Sequence, residues 1–186
     1  SGAARYGLDV RLPGMLYASL HRCPVAGSRV GDWQAGAALR VPGVVDVLAV
    51  RNGIAVVAES TWAALRGRER LDVSCRPSAS PGLENSRVRE RLLLGLKGRS
   101  AVARREGDVS GALTASGREI EAVYEVGFQA HACMEPMNCT ADVTASHCAL
   151  HVPTQAQAEA RATASRLTGL APERVSVHTS FLGGGY

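Results

Sequence analysis

Lysine is almost missing from this chain: of 21 basic residues in 186 positions, only Lys97 is not arginine. Aromatic residues make up 4%, so a core has to be built from Ala, Val and Leu, and a row of rings on which nucleic-acid bases could stack is excluded. No apolar run reaches the ~18 residues of a membrane span. The N-terminus shows no basic stretch followed by an apolar one, so no signal peptide is visible. The cysteines, Cys23, Cys75, Cys133, Cys139 and Cys148, are odd in number and include no CxxC pair. That argues against a disulfide framework and against iron–sulfur ligation, and predicts reduced, mostly buried thiols.

What is present points to a folded protein. Hydrophobic residues reach 46%, too many for a disordered chain, and the length fits one domain or two small ones. The net charge is +4, with arginines spread along most of the sequence. The densest basic stretch, residues 87–105, also holds Glu90 and no aromatic residue. It reads as a solvated helix face, and no nucleic-acid partner is expected.

Apolar periodicity and turn residues predict an α+β fold. Residues 6–12 and 15–20 read as two paired strands around Pro13-Gly14. A short helical turn follows at 35–39. Residues 44–50 and 54–58 form a hairpin about Asn52-Gly53, a strong turn signal. A helix capped near Thr61 and a strand at 71–74 complete a unit of residues 1–80. Residues 76–86, rich in Pro, Ser and Gly, read as a linker. The second part, 81–186, opens with a helix carrying Val88, Leu92 and Leu96, capped by Asn85 or Ser86. A further turn is capped at Asp108 or Ser110. Residues 119–126 alternate apolar and acidic side chains, the pattern of a half-buried strand. A hairpin of 140–144 and 149–152 precedes a helix that starts at Thr154 and stops at Gly169, with Ala156, Ala160, Ala164 and Leu167 on one face. Residues 175–179 form the last strand and run into Gly183-Gly184-Gly185-Tyr186. The abrupt start and stop read as a piece of a longer protein.

Three groups of residues could carry chemistry. His131, Cys133, Cys139, Cys148 and His151 give the spacing H-x-C-x5-C-x8-C-x2-H, five soft or borderline ligands without the paired knuckle of a zinc site. A non-catalytic, zinc-stabilised or protein-interaction module is the competing reading this keeps open. Gly183, Gly184 and Gly185 lack the Cβ atoms that would stop backbone N–H groups approaching an anion. They also make the end of the chain costly to order, with only Leu182 and Tyr186 as anchors. Gln155, near the start of its helix, can present an amide donor where negative charge is favoured.

Taken in order, His131-Ala-Cys-Met-Glu135-Pro-Met-Asn-Cys-Thr140, Pro153-Thr-Gln155, Thr168-Gly-Leu170 and Leu182-Gly-Gly-Gly-Tyr186 resemble the molybdopterin-binding large subunit of the xanthine dehydrogenase and aldehyde oxidoreductase family, in the branch of the isoquinoline 1-oxidoreductase beta subunit. The front agrees: Ala4-Arg-Tyr-Gly-Leu-Asp-Val, Leu12-Pro-Gly-Met-Leu-Tyr-Ala18 and Val41-Pro-Gly-Val-Val45. The resemblance implies an α/β-hammerhead domain over 1–80 and the truncated start of a molybdopterin-binding domain over 81–186. It implies a parent enzyme that oxidises an aldehyde or N-heterocycle with water as oxygen source, a molybdopterin-type cofactor, and [2Fe–2S] clusters in an iron–sulfur small subunit. Gln155, Gly183, Gly184, Gly185 and Tyr186 match cofactor-binding positions, and His131 and Glu135 match a motif near the site with a structural part to play. Cys133 stands in place of Pro and Tyr186 in place of Phe. The family's glutamate base lies beyond Tyr186, so no catalytic residue and no metal ligand is expected within the chain, and the isolated piece is expected to be inactive. A periplasmic or cytoplasmic bacterial setting is implied equally.

Overall fold

The computed structural model describes residues 2–25, 27–51, 53–77 and 84–185. The chain divides into two compact units, one of Ser1–Pro13 with Val123–Tyr186 and one of Gly14–Ala122.

In the Gly14–Ala122 unit, strands β1 (Tyr17–His21), β3 (Val44–Val50) and β4 (Gly53–Ala58) form an antiparallel sheet in the order β1-β4-β3. Strand β2 (Arg29–Gln34) pairs antiparallel with β5 (Asp72–Arg76). The turn α1 (Gly36–Leu39) and helix α2 (Thr61–Glu69) complete the layer. Ser60 caps α2, its Oγ accepting from the Ala63 amide at 3.2 Å. The helix sits close to the sheet because Gly67 faces Val44 and Val56, where a Cβ would come within 2.8 Å of either methyl. Ala38, Val47, Ile54 and Val56 form the buried core, with Val30, Trp33 and Leu71 packed against it. Helices α3 (Asn85–Lys97) and α4 (Val109–Ala115) follow and bury no residue. Asp108 caps α4 through the Gly111 amide at 3.0 Å.

In the other unit, β6 (Thr140–Val143) and β7 (Cys148–His151) are antiparallel, and β7 is parallel to β8 (Val175–His178). Parallel neighbours need a crossover, and helix α5 (Gln157–Thr168) supplies it. Gly169 ends α5 at φ 75°, its N–H donating to the Ser165 carbonyl, the left-handed stop that glycine takes without a Cβ penalty. Cys148, Leu150, Ala164 and Val175 are the buried core.

Several expectations are corrected. Residues 6–12 are not a strand: Gly7–Asp9 is a 3-10 turn, and β1 pairs with β4 instead. Residues 29–34, for which the sequence pattern gives no element, form a strand whose pairing register shifts between Val30 and Trp33. Residues 119–126 form no ladder among the described residues, and Ile120, Tyr124 and Val126 are exposed. Helix α5 begins at Gln157, with Thr154 Oγ1 accepting from the Ala156 amide before it. Its inner face is Ala160 and Ala164, whereas Ala156 and Leu167 are exposed. Cys23 and Cys75 form a disulfide, and Cys139 is exposed. Asn52 of the hairpin signal, residues 78–83 of the linker and Tyr186 lie outside the described residues.

Candidate functional site

Two of the elements named from sequence meet at one edge of the β6-β7-β8 sheet. Gln155 lies in the turn between β7 and α5, and the glycine run follows β8. Both therefore leave the carboxyl ends of neighbouring parallel strands, the end at which α/β sheets present ligand sites. A Cβ built on Gly185 would overlap the Gln155 side-chain amide, so the two approach as closely as backbone allows. Gly184 takes φ 136° and rests on Cys133, where a Cβ would meet the Cys133 Cβ at 2.9 Å. Gly183 packs in the same way on Glu135. Each glycine is there because the neighbouring residue fills the space a side chain would need.

Glu135 holds this loop. The Gly183 amide donates to Glu135 Oε2 at 2.9 Å, and the Glu135 amide donates to the Gly183 carbonyl at 3.2 Å. The second carboxylate oxygen, Oε1, accepts from Asn138 Nδ2 at 2.9 Å and from the Leu8 amide at 3.2 Å. Burial acts to raise the Glu135 pKa, but the hydrogen bonds from Asn138, Gly183, Leu8 and Gly7 outweigh it and hold the carboxyl below its ordinary value. A depressed carboxyl pKa contributes stability that is present above the unfolded value and is lost as pH falls through the folded one. Acidification below the ordinary carboxylate range should therefore loosen the Gly183 and Leu8 amides before β7 and β8 open. Hydrogen exchange followed against pH checks this; simultaneous loss along β7 and β8 would contradict it.

Donors left over define what the site can take. Among the described residues no hydrogen bond engages the amides of Gly184 and Gly185 or the Gln155 side chain. Unengaged N–H groups close to one another suit an anionic or oxo-rich group. That donor set fits a molybdopterin-type cofactor: Gln155 and the Gly184 and Gly185 amides would hold it.

His131 is exposed, beside Ala132 at φ 41°, while Cys133 is half-buried. The soft ligands fail to converge. Cys148 is buried in the core, Cys133 lies against Gly184, and among the described residues no group of three or more His, Cys, Asp or Glu side chains is arranged to hold a metal ion. Although the Cys139 residue is exposed, partial desolvation of its thiol, and secondarily the nearby Cys148, push the thiol pKa up, which disfavours the thiolate a metal would need. Asn138 and the 7–9 turn are the parts of the site that sequence reading missed. Asn138 sat inside the quoted motif, but nothing in its spacing tells that Leu8 would meet Glu135.

Residues 96–186 match the family model of the molybdopterin cofactor-binding domain. The chain is 31% identical over 199 aligned residues to the beta subunit of isoquinoline 1-oxidoreductase from Brevundimonas diminuta, covering 100% of this chain and 25% of that protein. It is 31% identical over 153 residues to a subunit of nicotinate dehydrogenase from Pseudomonas putida, covering 78% of this chain and 13% of that protein. Among solved structures, quinoline 2-oxidoreductase from Pseudomonas putida 86 superposes with a TM-score of 0.69 at 20% identity, over 100% of this chain and 29% of that one. The chain thus spans a quarter or less of the curated relatives it matches. Sequence motifs and relatives agree, and the chain belongs with the molybdopterin-binding oxidoreductase subunits, the isoquinoline 1-oxidoreductase beta subunit among them.

Proposed function

We propose that the chain forms part of the large subunit of a molybdenum hydroxylase that oxidises an aldehyde or N-heterocycle with water as oxygen source. The observation that carries this reading is the close approach of the Gln155 side-chain amide to Gly185, in a glycine run whose Gly184 and Gly185 amides are unengaged, at the carboxyl ends of β7 and β8. When bound, the molybdopterin cofactor supplies the two-electron oxidation of the substrate carbon. Gln155 would donate its amide N–H to the cofactor, and Gly184 and Gly185 would donate their backbone N–H groups. Tyr186 is proposed to stand beside the substrate. Glu135 and His131 are proposed as supporting residues that do not touch it. The family's glutamate base is proposed to be supplied from outside residues 1–186, and the isolated chain is proposed to be inactive. The β1–β5 layer supports an α/β-hammerhead identity for the front of the chain, expected over 1–80. The cofactor-binding part is expected over 81–186, and residues 1–13 pack with it. Electrons would leave through [2Fe–2S] clusters of an iron–sulfur small subunit.

Gln155→Ala in the full-length enzyme tests this reading. A hydrogen bond to a charged group contributes about 1.5–3 kcal/mol. If it strengthens in the transition state, turnover should fall roughly ten- to a hundredfold. Unchanged turnover at full molybdenum content would remove Gln155 from the site, and a full-length protein that holds no molybdenum would overturn the reading.

A further inference from the structure

The glycine loop is tied to the rest of its unit at Gly183, and the residue that ties it is Glu135. Glu135 meets two segments distant in sequence and its near neighbour Asn138. Its Oε2 accepts from Gly183 at 2.9 Å, and its Oε1 accepts from Asn138 at 2.9 Å and from Leu8 at 3.2 Å. Its own amide returns a bond to the Gly183 carbonyl. Leu8 belongs to the 3-10 turn Gly7–Asp9, far away in sequence, and that turn is itself closed by the Tyr6 amide donating to Asp9 Oδ2 at 2.9 Å. Gly7 can approach because it has no Cβ: one would overlap Asn138 Oδ1 and lie 2.6 Å from Pro153 Cδ. Pro153 in turn sits two residues before Gln155. The same cluster therefore touches the glycine loop on one side and the approach to Gln155 on the other.

We propose that Glu135 is the positioning residue of the cofactor loop: its carboxylate latches Gly183 to Leu8 and Asn138, so that the Gly184 and Gly185 amides are held ready beside Gln155. This rests on the reading of the site given above. Preorganisation is the reason a latch is useful here. Each glycine loses backbone freedom when it is ordered, and a loop already held spends less of the cofactor's binding energy on ordering. Both carboxylate oxygens are needed, because donors face it from two directions. An amide in place of the carboxylate can accept on one side only and meets donor with donor on the other.

Glu135→Gln tests the latch in two ways. In this chain, amide exchange at Gly183 should quicken at least tenfold, with Leu150 and Val177 in the sheet unchanged. In the full-length enzyme, molybdenum should be lost on dialysis at least tenfold faster than from the wild type. A Leu150→Ala enzyme of matched melting temperature should keep its molybdenum, which separates positioning from general weakening. Wild-type exchange at Gly183 in the Gln variant, or a quickening spread evenly over β6 to β8, would overturn the latch. Equal molybdenum loss from both variants would do the same. A full-length wild type without molybdenum would instead overturn the reading of the function, and exchange at Gly183 alone would then decide the latch. Should Glu135→Gln not fold, Glu135→Asp serves. Its carboxylate is one methylene short and cannot reach both Gly183 and Leu8, so protection of both amides in that variant would overturn the proposal.

Discussion

Reducing the Cys23–Cys75 disulfide is expected to lower the stability of the Gly14–Ala122 unit by about 2–4 kcal/mol. The bond joins positions 52 residues apart, and the loop-entropy relation for that span gives roughly 4 kcal/mol as the chain-entropy contribution. Cys23 lies in the connection from β1 to β2, and Cys75 lies on β5, opposite Val30 of β2. The bond thus fastens the two-stranded β2-β5 ladder close to where the chain leaves β1. That ladder has little else to hold it: β5 is mostly exposed, and Val30, Trp33 and Val73 are its contribution to the core. Both tryptophans, Trp33 and Trp62, belong to this unit, so tryptophan fluorescence reports on it selectively. With a urea m-value of about 2 kcal/mol per molar, the midpoint should fall by roughly 1–2 M in dithiothreitol. An unchanged midpoint, with free thiols verified at both positions, would show that the ladder stands without the bond.

That disulfide was not legible in the sequence, and the reason is physical. Nothing in a separation of 52 residues says that two cysteines will meet; only the tertiary pairing of β2 with β5 brings them together. Local signals did better where local physics decides. The β-branched run of β3, the Gly169 stop of α5 and the Asp108 cap of α4 were all readable, because each depends on residues within a turn or two. The acidic–apolar alternation of residues 119–126 was read correctly as a pattern and wrongly as a strand. Alternation states which face a partner would cover, not that a partner is present, and here Tyr124 and Val126 are exposed. The same division runs through the site. Gln155 and the glycines were named because their residue types carry a chemical meaning alone. The carboxylate of Glu135 acquires its part from Leu8 and Gly183, which lie 127 and 48 residues away.

Gly183→Ala is expected to release the glycine loop, at a cost to the surrounding unit of about 2–4 kcal/mol, one charge-assisted and one ordinary hydrogen bond. An added Cβ would overlap the Cβ of Glu135 and approach its backbone nitrogen to 3.3 Å. Neither is the far end of a flexible side chain, so the clash cannot be relieved by a rotamer change. The chain then has two courses. It can keep the loop in place under overpacking strain of about 1–3 kcal/mol, occasionally more. Or it can lift the loop and give up both bonds between Gly183 and Glu135, the one its amide donates and the one its carbonyl accepts. The two costs overlap, so the substitution is severe on either course, and the second leaves a signature the first does not. Without the Gly183 donor, burial weighs more heavily on the Glu135 carboxyl, and its pKa should rise towards or above the ordinary carboxylate value. Gly117 is the control, since a Cβ there meets nothing within 4 Å, and Gly117→Ala should leave stability and the Glu135 titration where they are. Carboxyl titration by NMR with urea unfolding of both variants decides the matter. A Gly183→Ala chain with wild-type stability and an unmoved Glu135 would mean that the loop's closeness to Glu135 is not what requires glycine at this position.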